Sequence, residues 1–194
     1  VTHTQNDADR MRDAAGLARF VLSQPTMMTR LSAVASHGPA GAWLGAGFLR
    51  NAVWDALTGR DPDALPPTDL DVVYFDTTDV SAARDAAAEA ILLAAAPGLP
   101  WSVTNQARMH GRNGHAPYHD LADALAQWPE TATAIAARLG PGGVEILAPH
   151  GLADLLALIA RPTPAHRAHP AAMVARIAAK AWATRWPALQ VLTR

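Results

Sequence analysis

Two aspartates separated by one residue, Asp69 and Asp71, carry the strongest chemical signal in this 194-residue sequence. They lead into the apolar run Val72-Val73-Tyr74-Phe75, which reads as a strand. Side chains in a strand alternate with a period of two, so the two carboxylates face the same side as neighbours. Such a pair repels and raises its own pKa values unless something neutralises it. A hard divalent cation, Mg²⁺ (or Mn²⁺), does so using one or two carboxylates and the phosphates of a substrate. Upstream, Gly45-Ala46-Gly47 closes a short apolar run and a helical pattern starts at Phe48. Glycines let the backbone approach a ligand, and a helix start aims free N–H groups at an anion. Arg50 rises from the first turn toward the same place. The parts describe a metal–triphosphate site, with Asp69 and Asp71 as metal ligands and catalytic residues, and Gly45, Gly47 and Arg50 around the phosphates.

These residues need strands and helices to hold them. The pattern predicts a helix over 8–22 and a second, with Ser23 as cap and Pro25 in its first turn, reaching His37-Gly38. Ala42 to Leu44 is a short strand, Phe48 to Leu57 a helix, Arg60 to Pro67 a loop, and Asp69 to Phe75 the second strand. Asp76 is either a third acid or a turn residue. A Ser-capped helix over 81–95 precedes a third strand, Trp101 to Asn105. His110, His115 and His119 fit no established zinc spacing, and their loop is expected over the site with Tyr118 able to stack on a base. Leu121 to Gln127 and Pro129 to Leu139 read as two helices. Glu130, Thr131 and Thr133 then either meet a ribose or base or serve as cap and interior residues. Val144 to Leu147 is a strand, Gly151 to Ile159 a helix, and Arg161 to Pro164 a rigid linker. The last helix runs from Met173 to Trp186. Its Arg176 and Lys180, the only lysine of the chain, lie one turn apart as a phosphate contact or a salt-bridged surface.

The segment Gly45-Ala46-Gly47-Phe48-Leu49-Arg50-Asn51, with Gly59-Arg60 and Asp69-Leu70-Asp71, resembles the signature of the nucleotidyltransferase superfamily of DNA polymerase β-like folds. It is most similar to the head domain of CCA-adding enzymes and bacterial poly(A) polymerases, with their G-G-x-V-R-D, L-L-G and D-x-D. Pro129 to Ala136 and Glu145 to Leu155 resemble two further stretches of that family. The whole chain is more similar still to a bacterial nucleotidyltransferase-like group sharing W-P-E-T-A-T and A-P-x-G-L-x-D-L. Five departures stand out: Ala46 for glycine, Asn51 for aspartate, Trp128-Pro129 for an arginine pair, a long loop from Thr58 to Thr68, and no acid in Trp101 to Asn105.

The resemblance implies an α/β nucleotidyltransferase (polymerase β-like) fold: a small mixed sheet with flanking helices and a helical C-terminal part. The expected divisions are N-terminal helices over 1–38, the nucleotidyltransferase domain over 39–160 and a C-terminal extension over 161–194. The implied activity is metal-dependent transfer of an NMP group from an NTP to an acceptor hydroxyl with release of pyrophosphate. Arg108, just after the third strand, would reach phosphate or the second substrate, unless it pairs with an acid. The alternative is a catalytically inactive nucleotide-binding or regulatory module, or an antitoxin-like interaction module, on the same fold.

Composition sets bounds. Half of the residues are hydrophobic, with alanine prominent, so a core can form. The net charge of −1 gives no bulk attraction to nucleic acid or membrane. Family members that bind tRNA carry further domains, so a nucleic-acid partner is not expected. There is no cysteine, hence no thiol chemistry. No apolar run approaches the roughly 18 residues of a membrane span. A cytoplasmic location is the default.

Overall fold

The computed structural model describes residues 11–194. The polar stretch Val1 to Asp7 and the expected helix start at Ala8 lie outside these residues. Helix α1 (Ala14–Leu22) begins after Asp13, whose carboxylate accepts the Gly16 N–H at 2.7 Å. Ser23 closes this helix rather than capping the next, its hydroxyl donating to the Phe20 carbonyl at 2.7 Å. Helix α2 (Pro25–His37) then starts on a proline, which lacks the N–H that a first turn leaves unpaired.

Strand β1 (Trp43–Gly45) leads through Ala46 into α3 (Gly47–Leu57). With β2 (Leu70–Tyr74), β3 (Trp101–Asn105), β4 (Ala136–Gly140) and β5 (Gly143–Leu147) it forms one mixed sheet ordered β3-β2-β1-β4-β5. β2 and β3 are parallel, joined by α4 (Ala82–Ala95), while β1 is antiparallel to both β2 and β4. β3 is an edge strand whose outward N–H groups are covered by carboxylates of α4. Val103 donates to Glu89 at 3.0 Å and Asn105 to Asp85 at 3.1 and 3.2 Å, which closes the edge to another strand.

Alternation along the strands divides the sheet. Leu44, Val72 and Val103 enter the main core with residues of α1, α2 and α3. Val73 faces the other way, into a smaller cluster with Ala136 and with Leu121 and Leu125 of a short helix, Leu121–Ala126. Asp69 and Asp71 share this second face.

Three expected helices are corrected. Pro129 to Leu139 is not helical: Glu130 bridges to Pro162, a turn follows, and Ala136 to Gly140 is β4. Alanine favours helix in isolation, but here Ala136 and Ala137 are fully buried between two paired strands, and tertiary pairing overrides propensity. Gly151 to Ile159 shrinks to a single turn, Ala153–Leu156, followed by strand β6 (Ile159–Ala160). Met173 to Trp186 breaks in two, Pro170–Ala179 and Trp182–Arg185, around Lys180 and an Ala181 at φ +51°. The chain then returns as β7 (Gln190–Val191), parallel to β6.

The break lets the C-terminal segment pack inward. Trp182 and Trp186 meet Trp54 edge-on at 5.5 and 5.0 Å. One hydrophobic cluster contains residues from all three expected divisions, from Met11 through Val72 to Trp186.

Candidate active site

The first turn of α3, the entry to β2 and the C-terminal segment line one cleft of about 320 Å³. Arg50, Asn51, Asp69 and Lys180 line it, with Trp182 and Arg185 behind. Two glycines of the turn have different jobs. A Cβ on Gly45 would lie 2.9 Å from the Trp128 ring, so this glycine admits an indole that covers the second face of the sheet. A Cβ on Gly47 would lie 3.3 Å from the Asn51 amide and 3.7 Å from an Asp69 oxygen, so Gly47 adjoins two residues that line the cleft. Between them Ala46 holds φ +53° and ψ −121°, a conformation suited to glycine. No side chain caps α3 there, which leaves the first-turn N–H groups for another partner.

Asp69 is half-exposed, 3.7 Å from the Lys180 ammonium. Asp71 is more enclosed. Burial first, and the Asp69 charge second, push its carboxyl above the ordinary range, against the pull of Lys180, Arg176 and Arg50. Among the described residues no hydrogen bond or ion pair reaches the Asp71 carboxylate, which is held beside a second one. Two adjacent carboxylates, one of them lining an open cleft near a helix start, fit Mg²⁺ or Mn²⁺ held together with phosphate oxygens. Among the described residues no group of three His, Cys, Asp or Glu side chains is placed to share a metal ion. The strand register puts Ser102 beside Asp71 and Thr104 beside Val73, where an acid on β3 would have stood.

Arg50 is 4% exposed. One terminal nitrogen donates to Thr133 at 2.9 Å and the other to Asn51 at 2.8 Å, while its guanidinium lies 4.0 Å from the Trp182 ring centre. Burial lowers its pKa to about 10, which still leaves it a cation at neutral pH. Behind it, the fully buried Glu130 faces Arg176 at 3.1 Å without hydrogen-bond alignment. Thr131 donates to Asp154 at 2.7 Å. Glu130, Thr131 and Thr133 are thus engaged inside the protein.

Arg108 is not brought to this cleft. Its guanidinium binds Asp85, which also accepts from the Tyr74 hydroxyl at 2.7 Å. Tyr74 lies three residues after Asp71, hence on the opposite face of β2. Burial and the bond to Asp85 push the Tyr74 phenol well above its usual range. Asp76 serves its turn, accepting from the Thr78 N–H and hydroxyl at 2.8 and 2.6 Å and pairing with Arg84. Tyr118 is buried between the rings of His110 and His115, and His115 Nδ1 lies 2.8 Å from its hydroxyl, so it is not free to stack on a base.

The sequence reading did not single out Asp55. It is 1% exposed and accepts hydrogen bonds from Arg185 and from the Trp186 indole, the latter at 2.8 Å. It fixes the C-terminal segment against α3. The available signal was an acid inside the apolar stretch Val53-Trp54-Asp55-Ala56, where a buried charge requires a partner.

Residues 32–191 match the model of a nucleotidyltransferase family. No curated protein matches the chain. Among solved structures, one whose NMR analysis reveals a CCA-adding enzyme head domain is 29% identical, with a TM-score of 0.81 over 95% of this chain and 98% of that one. The Thermotoga maritima CCA-adding enzyme complexed with tRNA is 17% identical, with a TM-score of 0.56 over 93% of this chain. A CCA-adding enzyme in complex with CTP gives 17% and 0.55. The chain spans 42% and 43% of the lengths of these two enzymes, and at that identity the likeness is one of fold. The expected α/β nucleotidyltransferase fold is thereby borne out.

Proposed function

Because the chain belongs to a nucleotidyltransferase family, we propose that it moves an NMP group from an NTP to an acceptor hydroxyl in a metal-dependent reaction, releasing pyrophosphate. The observation that carries this reading is the adjacent pair Asp69, which lines an open cleft, and the more enclosed Asp71, near Gly47 and the uncapped start of α3. Asp69 and Asp71 would hold the divalent cation. Bound there, it supplies charge neutralisation on phosphate oxygens and a lowered pKa for the acceptor hydroxyl.

The protein's own groups do the positioning. Gly47 leaves room for phosphate oxygens beside the N–H groups of α3, which favour negative charge. Arg50, fixed by Thr133, Asn51 and Trp182, adds a cation that cannot swing away. In the reaction the acceptor oxygen bonds to the α-phosphorus, the bond from that phosphorus to the bridging oxygen breaks, and pyrophosphate leaves. The hydroxyl proton passes to solvent. The near-neutral charge of the chain favours a small hydroxylated molecule or a protein side chain over an RNA end as acceptor. No helix among the described residues is long and apolar enough to cross a membrane.

One observation favours a second reading, nucleotide binding without chemistry: Ser102 and Thr104 stand on β3 where a third acid would be. The two readings separate with NTPs labelled at the α-phosphate, incubated with Mg²⁺ and pools of metabolites, protein or RNA. Labelled adduct and pyrophosphate, both lost in Asp71→Asn, are expected. Nucleotide bound by the wild type with no pyrophosphate from any pool would favour the second reading.

A further inference from the structure

Three cations line the cleft, and two of them are committed. Arg50 is buried with both terminal nitrogens hydrogen-bonded and its face on Trp182. Arg185 is fixed to the buried Asp55 by two hydrogen bonds. Lys180 differs: its ion-pair partner is Asp69, at the long distance of 3.7 Å, with side chains 39% and 43% exposed. An exposed pair of this kind is held weakly, and a lysine has a flexible four-carbon stem. The backbone nonetheless makes a point of placing it. The helix over 170–179 ends at Lys180, and Ala181 takes a left-handed φ of +51° that costs an alanine free energy.

We propose that Lys180 is a movable counter-cation, holding Asp69 in the ligand-free protein and passing to a terminal phosphate of the triphosphate once a divalent cation has taken the carboxylate. The inference rests on the nucleotidyltransferase reading of this site and deepens it, by assigning a residue from the C-terminal segment. Its logic is exchange of partners. A divalent cation and an ammonium compete for the same Asp69 oxygens, so Lys180 opposes metal binding when no phosphate is present. Once phosphate arrives, the displaced ammonium gains a charge-assisted partner in the same cleft. Lys180 therefore weakens binding of the bare metal and strengthens binding of the metal with its phosphates. A surface residue that only supported the fold would not act with opposite signs on the two.

The test uses Mn²⁺ binding followed by electron paramagnetic resonance, with and without inorganic tripolyphosphate, on the full chain. Lys180→Met is expected to bind bare Mn²⁺ about two- to fivefold more tightly than the wild type. It is expected to bind the Mn²⁺–tripolyphosphate complex about tenfold more weakly. Lys180→Arg, which keeps the charge, should stay near the wild type in bare metal binding, and unchanged thermal unfolding of both variants checks the fold. Unchanged or weaker bare Mn²⁺ binding in Lys180→Met overturns the inference. Asp71→Asn separates the two levels. If it abolishes Mn²⁺ binding while Lys180→Met shows no opposed effects, only the role of Lys180 fails. If the wild type binds no Mn²⁺, or Asp71→Asn binds it as well, the metal site fails and Lys180 with it.

Discussion

Asp55, in the last turn of α3, and the pair Asp69 and Asp71, near its first turn, have opposite surroundings. Asp55 is 1% exposed and saturated, with two hydrogen bonds from Arg185 and one from the Trp186 indole. Asp69 has a weak partner at 3.7 Å, and Asp71 is pushed toward its neutral form by burial and by its neighbour. A buried charge costs several kcal/mol unless paired, so saturation marks a group that holds the fold together. A shortage of partners beside an open cleft marks a group kept for something the free protein lacks.

The contrast breaks most visibly through Asp55. Asp55→Ala leaves Arg185 and the Trp186 N–H without partners behind Trp54. Removing one member of a buried pair costs about 3–5 kcal/mol. For a chain of this size the unfolding temperature should fall by on the order of 10 °C. A fall of a degree or two in calorimetry would mean that the C-terminal segment is held by tryptophan packing alone.

Asp71→Asn should do the reverse. A carboxyl raised in the fold above its ordinary value of 3.8 binds more protons in the native state than in the unfolded chain across that window. Stability then falls as pH rises through the window and stays lower above it. Asparagine removes this loss, so the ligand-free variant should unfold at a higher temperature than the wild type at pH 7, with the difference vanishing at low pH. The wild type with Mg²⁺ and its NTP at about 100 times the Kd gains roughly 2.7 kcal/mol, and the variant should gain nothing. A ligand-free variant less stable at pH 7 would show that Asp71 is a structural acid like Asp55.

Much of this arrangement is written locally. The Gly-x-Gly turn, the helix behind it and the Asp-x-Asp strand entry each declare themselves within a few residues, through periodicity and the chemistry of adjacent carboxylates. What the sequence hid depends on pairs far apart in the chain. Lys180 meets Asp69, Arg185 meets Asp55 and Thr133 meets Arg50 across long stretches of chain, and Arg185 lies beyond a helix break at Ala181. No glycine or proline marks that break. Likewise Ala136 and Ala137 read as helix until β1 and β5 are seen on either side of them. Arg108 could be placed near phosphate only by analogy, because Asp85, which holds it, and Tyr74, which bonds Asp85, come from two other elements.

The same distinction between holding and leaving open runs through the turn at 45–47. Gly45→Ala pushes a methyl to 2.9 Å from the Trp128 ring, a rigid neighbour, and overpacking of this kind costs about 1–3 kcal/mol. Gly47→Ala meets the Asn51 amide at 3.3 Å, a group able to shift, so its stability should change less while phosphate binding weakens. Measuring unfolding and tripolyphosphate binding on both variants sharpens the comparison. If Gly45→Ala weakened binding and left stability unchanged, the assignment of the two glycines would be reversed.

The smallest effect expected is a gain. Ala46 carries φ +53° between two glycines, a conformation an L side chain resists at a cost of roughly 1–2 kcal/mol. Glycine relieves that strain but adds freedom to the unfolded chain, which offsets part of the relief. Ala46→Gly should therefore stabilise the protein by about 0.5–1 kcal/mol, a rise of a few degrees in unfolding temperature. Ala46 is 8% exposed, and the packing its methyl loses is part of what keeps this gain small. A fall in stability would mean that this methyl contributes more than its strain costs, and that the backbone at 46 is held from outside the turn. A rise would show that the phosphate turn stores strain, whereas the anchor at Asp55 is fully satisfied.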